Sequence, residues 1–245
     1  GVRQPKTRSD LFTCFSERFE TTSSLFLVRL AMRPFFSVII CSYNRAAYLP
    51  RALDSLIGQT ATDWEAVIID DGSTDHTIDI VSQYNSLDSR LRFHRHPENL
   101  GLSSTRNRGV REANGQFITF LDSDDEYAKD HLEKRQTILE KDPSIRFIHG
   151  GVTVIGDPFV IDKNSPTERI HIDQCVIGGT FFIRRDVFEI VKEFQDVDYA
   201  EDALFFEQVT AAGIHPTKTH HPSYIYYRNI PNQITSSFPS KKNDR

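Results

Sequence analysis

The sequence predicts an α/β fold with a mostly parallel, Rossmann-like central sheet flanked by helices. Three observations predict it. Strand-like segments recur at 35–41, 65–70, 91–96 and 117–121, and each of the first three is followed by a helical segment, the first two with apolar residues at helical spacing. Two of them, Trp64–Asp70 and Phe117–Leu121, are near-continuous apolar runs, the pattern of strands buried on both faces. Both of those runs end in carboxylates: Asp70, Asp71 and Asp75 after the first, and Asp122, Asp124, Asp125 and Glu126 after the second. Open α/β sheets bind ligands just beyond the carboxyl ends of their strands, so two acidic strand ends suggest one crevice.

The elements follow in order. Strand 35–41 leads to Asn44 as an N-cap and a helix carrying Leu49, Leu53, Leu56 and Ile57. Strand 65–70 leads to a Ser73/Thr74 cap and a helix with Ile78, Ile80 and Val81. Strand 91–96 passes through Pro97–Gly101 into a helix at about 103–113, and strand 117–121 follows. Beyond the carboxylates the expectation is a charged helix over 128–141, an apolar stretch at 145–155, a loop at 156–168 rich in Pro, Asp and Asn, and Cys175–Ile183. A helix near 201–212 and the aromatic strand Tyr224–Tyr227 close the domain.

The chain has 245 residues, a formal charge of −5 and 26% charged residues of both signs interspersed. That leaves no extended basic face for nucleic acid. Cys14, Cys41 and Cys175 are odd in number and widely spaced, which predicts neither a disulfide framework nor a zinc knuckle and fits a reducing compartment. Residues 1–31 read as an N-terminal extension and the catalytic domain as about 32–240, because Met32 directly precedes the first convincing strand. The run Leu25–Val28 is too short to span a bilayer. A cytoplasmic protein is expected, with peripheral association at the inner membrane face left open.

Carboxylates as close as Asp122, Asp124, Asp125 and Glu126 repel one another unless a cation sits among them, and a hard divalent ion with oxygen ligands is the common solution. On an extended segment residues two apart point the same way, so Asp122 and Asp124 would share one side of the strand end. The sequence does not separate Mn²⁺ from Mg²⁺.

The succession Ser37-Val-Ile-Ile-Cys-Ser-Tyr-Asn-Arg45, Asp70-Asp-Gly-Ser-Thr-Asp75, Asn99-Leu-Gly-Leu-Ser-Ser-Thr-Arg-Asn-Arg-Gly109, Phe120-Leu-Asp-Ser-Asp-Asp125 and Glu201-Asp202 resembles the family 2 glycosyltransferases, inverting enzymes of the GT-A fold. The likeness covers roughly residues 35 to 238. It implies transfer of a sugar from a nucleotide-sugar donor, UDP-linked by expectation, to a hydroxyl of a glycan, lipid-linked or protein acceptor. The donor-binding half would lie at about 35–125 and the acceptor half at about 126–240. The resemblance places Cys41, Tyr43, Arg45, Asp71, Arg106, Asp122 and Ser123 at the donor. Tyr43 would wall the base, Asp71 would accept its ring N–H, and Cys41 brings a thiol where relatives often carry Thr or Ser. Asp124 is implied as the more direct metal ligand and Asp122 as the ribose contact with a share in the metal, while Asp125 and Glu126 read as caps of the next helix. Asp202 is implied as the general base, with Glu201 second, and Gly178, Gly179 and Thr180 as the acceptor-side backbone. Near the C-terminal strand, Arg228 and Asn229 stand where relatives often have a histidine. Two other classes compete: a sugar-nucleotide pyrophosphorylase, for which no Gly-rich phosphate loop is present, and a non-catalytic nucleotide- or carbohydrate-binding module, against which Asp71, Asp122, Asp124 and Asp202 argue.

Overall fold

The computed structural model describes residues 33–165, 167–197 and 199–230. The boundary expected at Met32, the segment 1–31 and the end of the domain at 240 lie outside them.

Four parallel strands form the frame: β1 (Phe36–Ser42), β2 (Trp64–Asp70), β3 (Leu91–Arg95) and β4 (Phe117–Phe120). β1 pairs with β2 on one side and β4 on the other, and β3 flanks β2. The direction of winding therefore reverses between β1 and β4, which places a crevice beyond their carboxyl ends. β2 is buried along its whole length, as its unbroken apolar run requires. Its one misfit, Glu65, accepts from Ser37 Oγ (2.7 Å), Asn114 Nδ2 (3.1 Å) and Arg92 Nη1 (3.0 Å). Burial pushes this carboxyl up, but the donors outweigh it and hold its pKa below the usual value.

The helices are α1 (Leu49–Ile57), α2 (Thr77–Leu87), α3 (Leu102–Glu112), α4 (His131–Lys141), α5 (Val187–Val191) and α6 (Glu201–Ala211). α1 buries Leu49, Ala52, Leu53 and Leu56, one stripe at helical spacing. Each such leucine contributes roughly 1.5–3 kcal/mol by leaving water. The remaining strands are β5 (Glu126–Tyr127), β6 (Phe147–His149), β7 (Val152–Gly156), β8 (Phe159–Ile161), β9 (Arg169–His171), β10 (Phe182–Arg184), β11 (Thr217–Lys218) and β12 (Tyr224–Arg228). The main sheet has the order β11-β6-β10-β4-β1-β2-β3, with β10 antiparallel to its neighbours β4 and β6. A second sheet, β5-β12-β7, and the β8–β9 hairpin lie apart from it in the pairing.

Several local expectations are corrected. Asn44 does not cap α1: it sits at φ 52° and its Oδ1 accepts from Thr74 N (2.8 Å), pinning the loop after β2. Ser73 and Thr74 do not cap α2. Ser73 Oγ accepts from Asn44 N, and Asp75 Oδ1 accepts the Thr77 N–H at 3.0 Å, the capping role. The charged helix begins at His131, since Glu126 and Tyr127 pair with β12. The segment 156–168 is not wholly loop: β8 pairs with β9 around the polar tip 162–168.

Candidate active site

A cleft of about 920 Å³ opens at the switch point and gathers residues from six parts of the chain: the end of β1, the loop after β2, the loop into α3 with its first turns, the turn after β4, the segment from 160 to 207, and Tyr226 on β12. Cys41, Tyr43, Arg45, Asp71, Arg106, Asp122, Ser123, Asp124, Gly178, Glu201 and Asp202 all line it. Gly179 and Thr180 do not. Thr180 is fully buried, accepts from Gly150 N (2.9 Å) and donates to Ile177 O (2.7 Å).

Asp70 and Asp71 divide the work at the end of β2. Asp70 serves the turn, accepting from Ser73 N at 3.1 Å and pairing with Arg95 at 3.2 Å. Asp71 is held by the loop after β3: His96 Nδ1 lies 2.8 Å and Leu100 N 2.9 Å from its Oδ1, and Gly101 N lies 2.9 Å from its Oδ2. A carboxylate offers about four lone-pair sites, so one remains on Oδ2 for a ligand donor. His96 has no signature in the sequence that would single it out. Tyr43 lines the cleft and is 43% exposed. Beside it Ser42 Oγ is buried on the cleft lining with no hydrogen-bond partner among the described residues, whereas burial pushes the Cys41 thiol well above its ordinary pKa. Ser42 is thus the hydroxyl that the strand end supplies.

The acidic segment after β4 is a turn and not an extension of the strand. Asp125 N donates to Asp122 O at 3.0 Å, and both Asp122 and Asp124 still reach the cleft. Asp125 and Glu126 are not helix caps. Asp125 is fully buried and accepts from Tyr224 Oη (2.7 Å) and Tyr227 N (2.9 Å), while Glu126 accepts from Tyr227 Oη. Burial, reinforced by the charges of Asp122 and Asp124, raises the Asp125 pKa well above the carboxylate range. Asp124 Oδ2 lies 3.9 Å from Arg45 Nε, and its carbonyl accepts from Arg51. Among the described residues no group of three or more His, Cys, Asp or Glu side chains is disposed to hold a metal by itself.

Arg106 is buried in the cleft lining, where its guanidinium is paired by two carboxylates. Its Nη1 lies 2.5 Å from Glu201 Oε1 and its Nη2 3.2 Å from Asp122 Oδ1. Burial lowers its pKa, but Glu201 and Asp122 outweigh that effect and raise it, so the group stays charged. Ala200, with φ 59°, turns the chain so that Glu201 and Asp202 begin α6 at the cleft. Asp202 Oδ2 accepts from Gly178 N at 2.8 Å and Oδ1 from Ala203 N at 2.7 Å. Burial raises the pKa of Asp202, and raises that of Glu201 to about 7 against the opposing charge of Arg106.

Gly178 and Gly179 form a 3-10 turn, and their smallness serves the protein's own side chains. A Cβ on Gly178 would lie 2.9 Å from Arg106 Nη1, and one on Gly179 would lie 2.2 Å from the Tyr224 ring. Arg228 donates to Phe159 O at 3.1 Å, and neither it nor Asn229 lines the cleft.

Residues 37–192 match the family model described as Glycosyl transferase family 2. The chain belongs to that family. The Bacillus subtilis teichuronic acid biosynthesis glycosyltransferase TuaG is 39% identical over 116 residues, 47% of this chain and 46% of TuaG. A Haemophilus influenzae glycosyltransferase is 27% identical over 229 residues, covering 86% of this chain and 70% of that protein. Among solved structures, Staphylococcus aureus TarS 1-349 in complex with UDP-GlcNAc superposes with a TM-score of 0.71 at 25% identity, over 84% of this chain and 62% of that one. The chain therefore spans less than half of TuaG and under two thirds of that TarS chain. The Pyrobaculum calidifontis mannosyltransferase PcManGT, solved with GDP-Man and Mn²⁺, shares the fold at TM-score 0.64 and 20% identity, over 82% of this chain and 58% of that one. The family 2 fold and the GT-A architecture stand together here, with the mostly parallel sheet carrying the cleft at its switch point.

Proposed function

We propose that this family 2 domain transfers a sugar from a UDP-sugar to an acceptor hydroxyl by a single inverting displacement, with Asp202 as general base. The observation that carries the reading is the meeting, in one cleft, of the strand-end carboxylates Asp71, Asp122 and Asp124 with the Glu201-Asp202 pair at the start of α6. Tyr43, Ser42 and the oriented Asp71 suit a flat base with a ring N–H; Asp122 and Ser123 suit a ribose diol. TarS, which shares the fold, was solved with UDP-GlcNAc, and this motivates the choice of UDP.

A divalent ion fits the donor set as a partner of substrate oxygens. Asp124 and Asp122 supply hard carboxylate ligands on the cleft, and Mn²⁺ or Mg²⁺ sites of this type take one or two carboxylates and complete their shells with phosphate and water. Such an ion would offset the charge of a nucleoside-diphosphate leaving group. Arg45, 3.9 Å from Asp124, adds positive charge on the same side.

In the transfer, the acceptor oxygen forms a bond to the anomeric carbon as the bond from that carbon to the diphosphate oxygen breaks. The acceptor proton passes to Asp202 and UDP departs with the electron pair. Burial favours this proton transfer, since a raised pKa brings the carboxylate nearer to neutral pH, where a base is most effective. Glu201 is committed to Arg106 and positions the helix start. The test is calorimetric titration of UDP with and without Mn²⁺, followed by turnover of UDP-sugars. Metal-dependent UDP binding with donor consumption supports the reading; binding with no turnover of any donor in the presence of acceptors would assign a binding module instead.

A further inference from the structure

We propose that the apolar wall of the cleft that also holds Asp202 is a subsite for the apolar part of an amphipathic acceptor, an alcohol or sugar carried on an alkyl or aryl group. This rests on the reading of the cleft as a glycosyltransferase site and names its acceptor class. The wall comes from the β8–β9 hairpin and the segment after it: Val160, Ile161, Ile170, Ile172, Val176 and Ile177. Val160 and Ile172 are 7% and 2% exposed, yet they belong to neither of the two hydrophobic core clusters. Their burial is local to the cleft. Ile161, Ile170, Val176 and Ile177 are half-buried on the same surface.

A wall for a bare glycan would need a polar partner for most sugar hydroxyls, because a buried hydroxyl left unpaired is costly. Aliphatic faces offer none. They do gain from covering apolar surface, and this wall is continuous with Glu201 and Asp202, which line the same cleft. The hairpin is held to the catalytic helix at two points. Lys163 Nζ lies 2.5 Å from Glu207 Oε1 on α6, and Tyr199 Oη, just before α6, donates to Ile161 O at 2.8 Å. The apolar wall is therefore kept in register with the base: a hydroxyl head at Asp202 would leave its apolar tail along the hairpin. The polar residues of this part of the lining are Asp162, Lys163 and Asn164 at the hairpin tip and Gln174 after it.

The experiment is calorimetric titration of the UDP- and Mn²⁺-saturated protein with butyl, hexyl and octyl β-D-glucosides below their micelle concentrations, with 4-nitrophenyl β-D-glucoside as the aryl arm. Affinity should rise about two- to fourfold per added methylene, the upper figure corresponding to ~0.8 kcal/mol for a fully buried CH₂. The paired substitution Ile170→Ser with Ile177→Ser should cut octyl-glucoside affinity at least tenfold while leaving UDP affinity within about twofold. A gain for the alkyl series alone identifies a lipid-like tail, and a gain for the aryl arm that equals or exceeds it identifies an aryl group. Equal affinity across the series, or a chain-length gain that survives the paired substitution, would overturn the subsite. Failure of UDP to bind is a separate result, which would overturn the donor reading and not the acceptor class alone.

Discussion

Arg106 and Glu201, ninety-five positions apart in sequence, form a buried ion pair with 2.5 Å between Nη1 and Oε1. The same guanidinium reaches Asp122 at 3.2 Å. One cation thus joins the acidic turn after β4 to the first turn of α6.

Removing that cation should therefore cost both stability and geometry. Arg106→Ala leaves Glu201 buried without its partner, a loss of about 3–5 kcal/mol for a broken buried pair. Chemical denaturation checks the stability; the conservative Arg106→Lys should recover part of it but not the two-pronged contact, leaving turnover depressed.

The Gly178-Gly179 turn predicts a steric effect. Gly179→Ala drives a methyl into the Tyr224 ring, which bonds Asp125 and so supports the acidic turn. Overpacking of this kind costs about 1–3 kcal/mol. A melting temperature unchanged from wild type would show that the turn relaxes freely, contrary to expectation.

Metal and base contacts should separate by mutation. Asp124→Ala should weaken the Mn²⁺-dependent part of UDP binding with the fold retained. Asp71→Ala should weaken uridine as much as UDP. Titration of uridine and UDP, with and without Mn²⁺, reads the difference directly; a loss confined to UDP in the second variant would remove Asp71 from the base.

The raised carboxyls give a pH prediction with a definite sign. Burial moves Asp202 above the ordinary aspartate range and Glu201 to about 7. A base works only when deprotonated, so kcat/KM should fall on acidification along a limb lying above that ordinary range. For stability, a carboxyl raised in the fold binds protons that the unfolded chain releases. The contribution of Glu201 is fully present below its unfolded value of 4.5 and is lost as pH rises through about 7. The stability advantage of wild type over Glu201→Gln should shrink across that window.

The parallel frame was legible because its signal is local: an apolar run such as Trp64–Asp70 can bury both faces only inside a sheet, and β1 to β4 formed within a residue or two of expectation. The gathering of Asp71, Asp122, Asp124 and Asp202 followed from strand ends and motif order. What escaped depends on long-range pairing. Nothing near Arg106 tells that Glu201 will pair with it. Nothing near His96 marks it as the residue orienting Asp71. Asp125 looked like a helix cap because its partners, Tyr224 and Tyr227, lie about a hundred residues away. The β8–β9 hairpin was hidden because its tip, rich in Asp, Asn, Ser and Pro, outweighs two three-residue strands.

The measurement that tests the account most directly is a paired one on Asp202→Asn: UDP affinity and melting temperature beside turnover with a competent acceptor. The amide keeps the size of the side chain and its acceptor oxygen but cannot take the proton. Turnover should fall by about two to four orders of magnitude, the range of a positioned acid or base, with UDP affinity nearly unchanged. Near-normal turnover in Asp202→Asn would contradict the assignment, and with collapse in Glu201→Gln measured alongside it would move the base to Glu201.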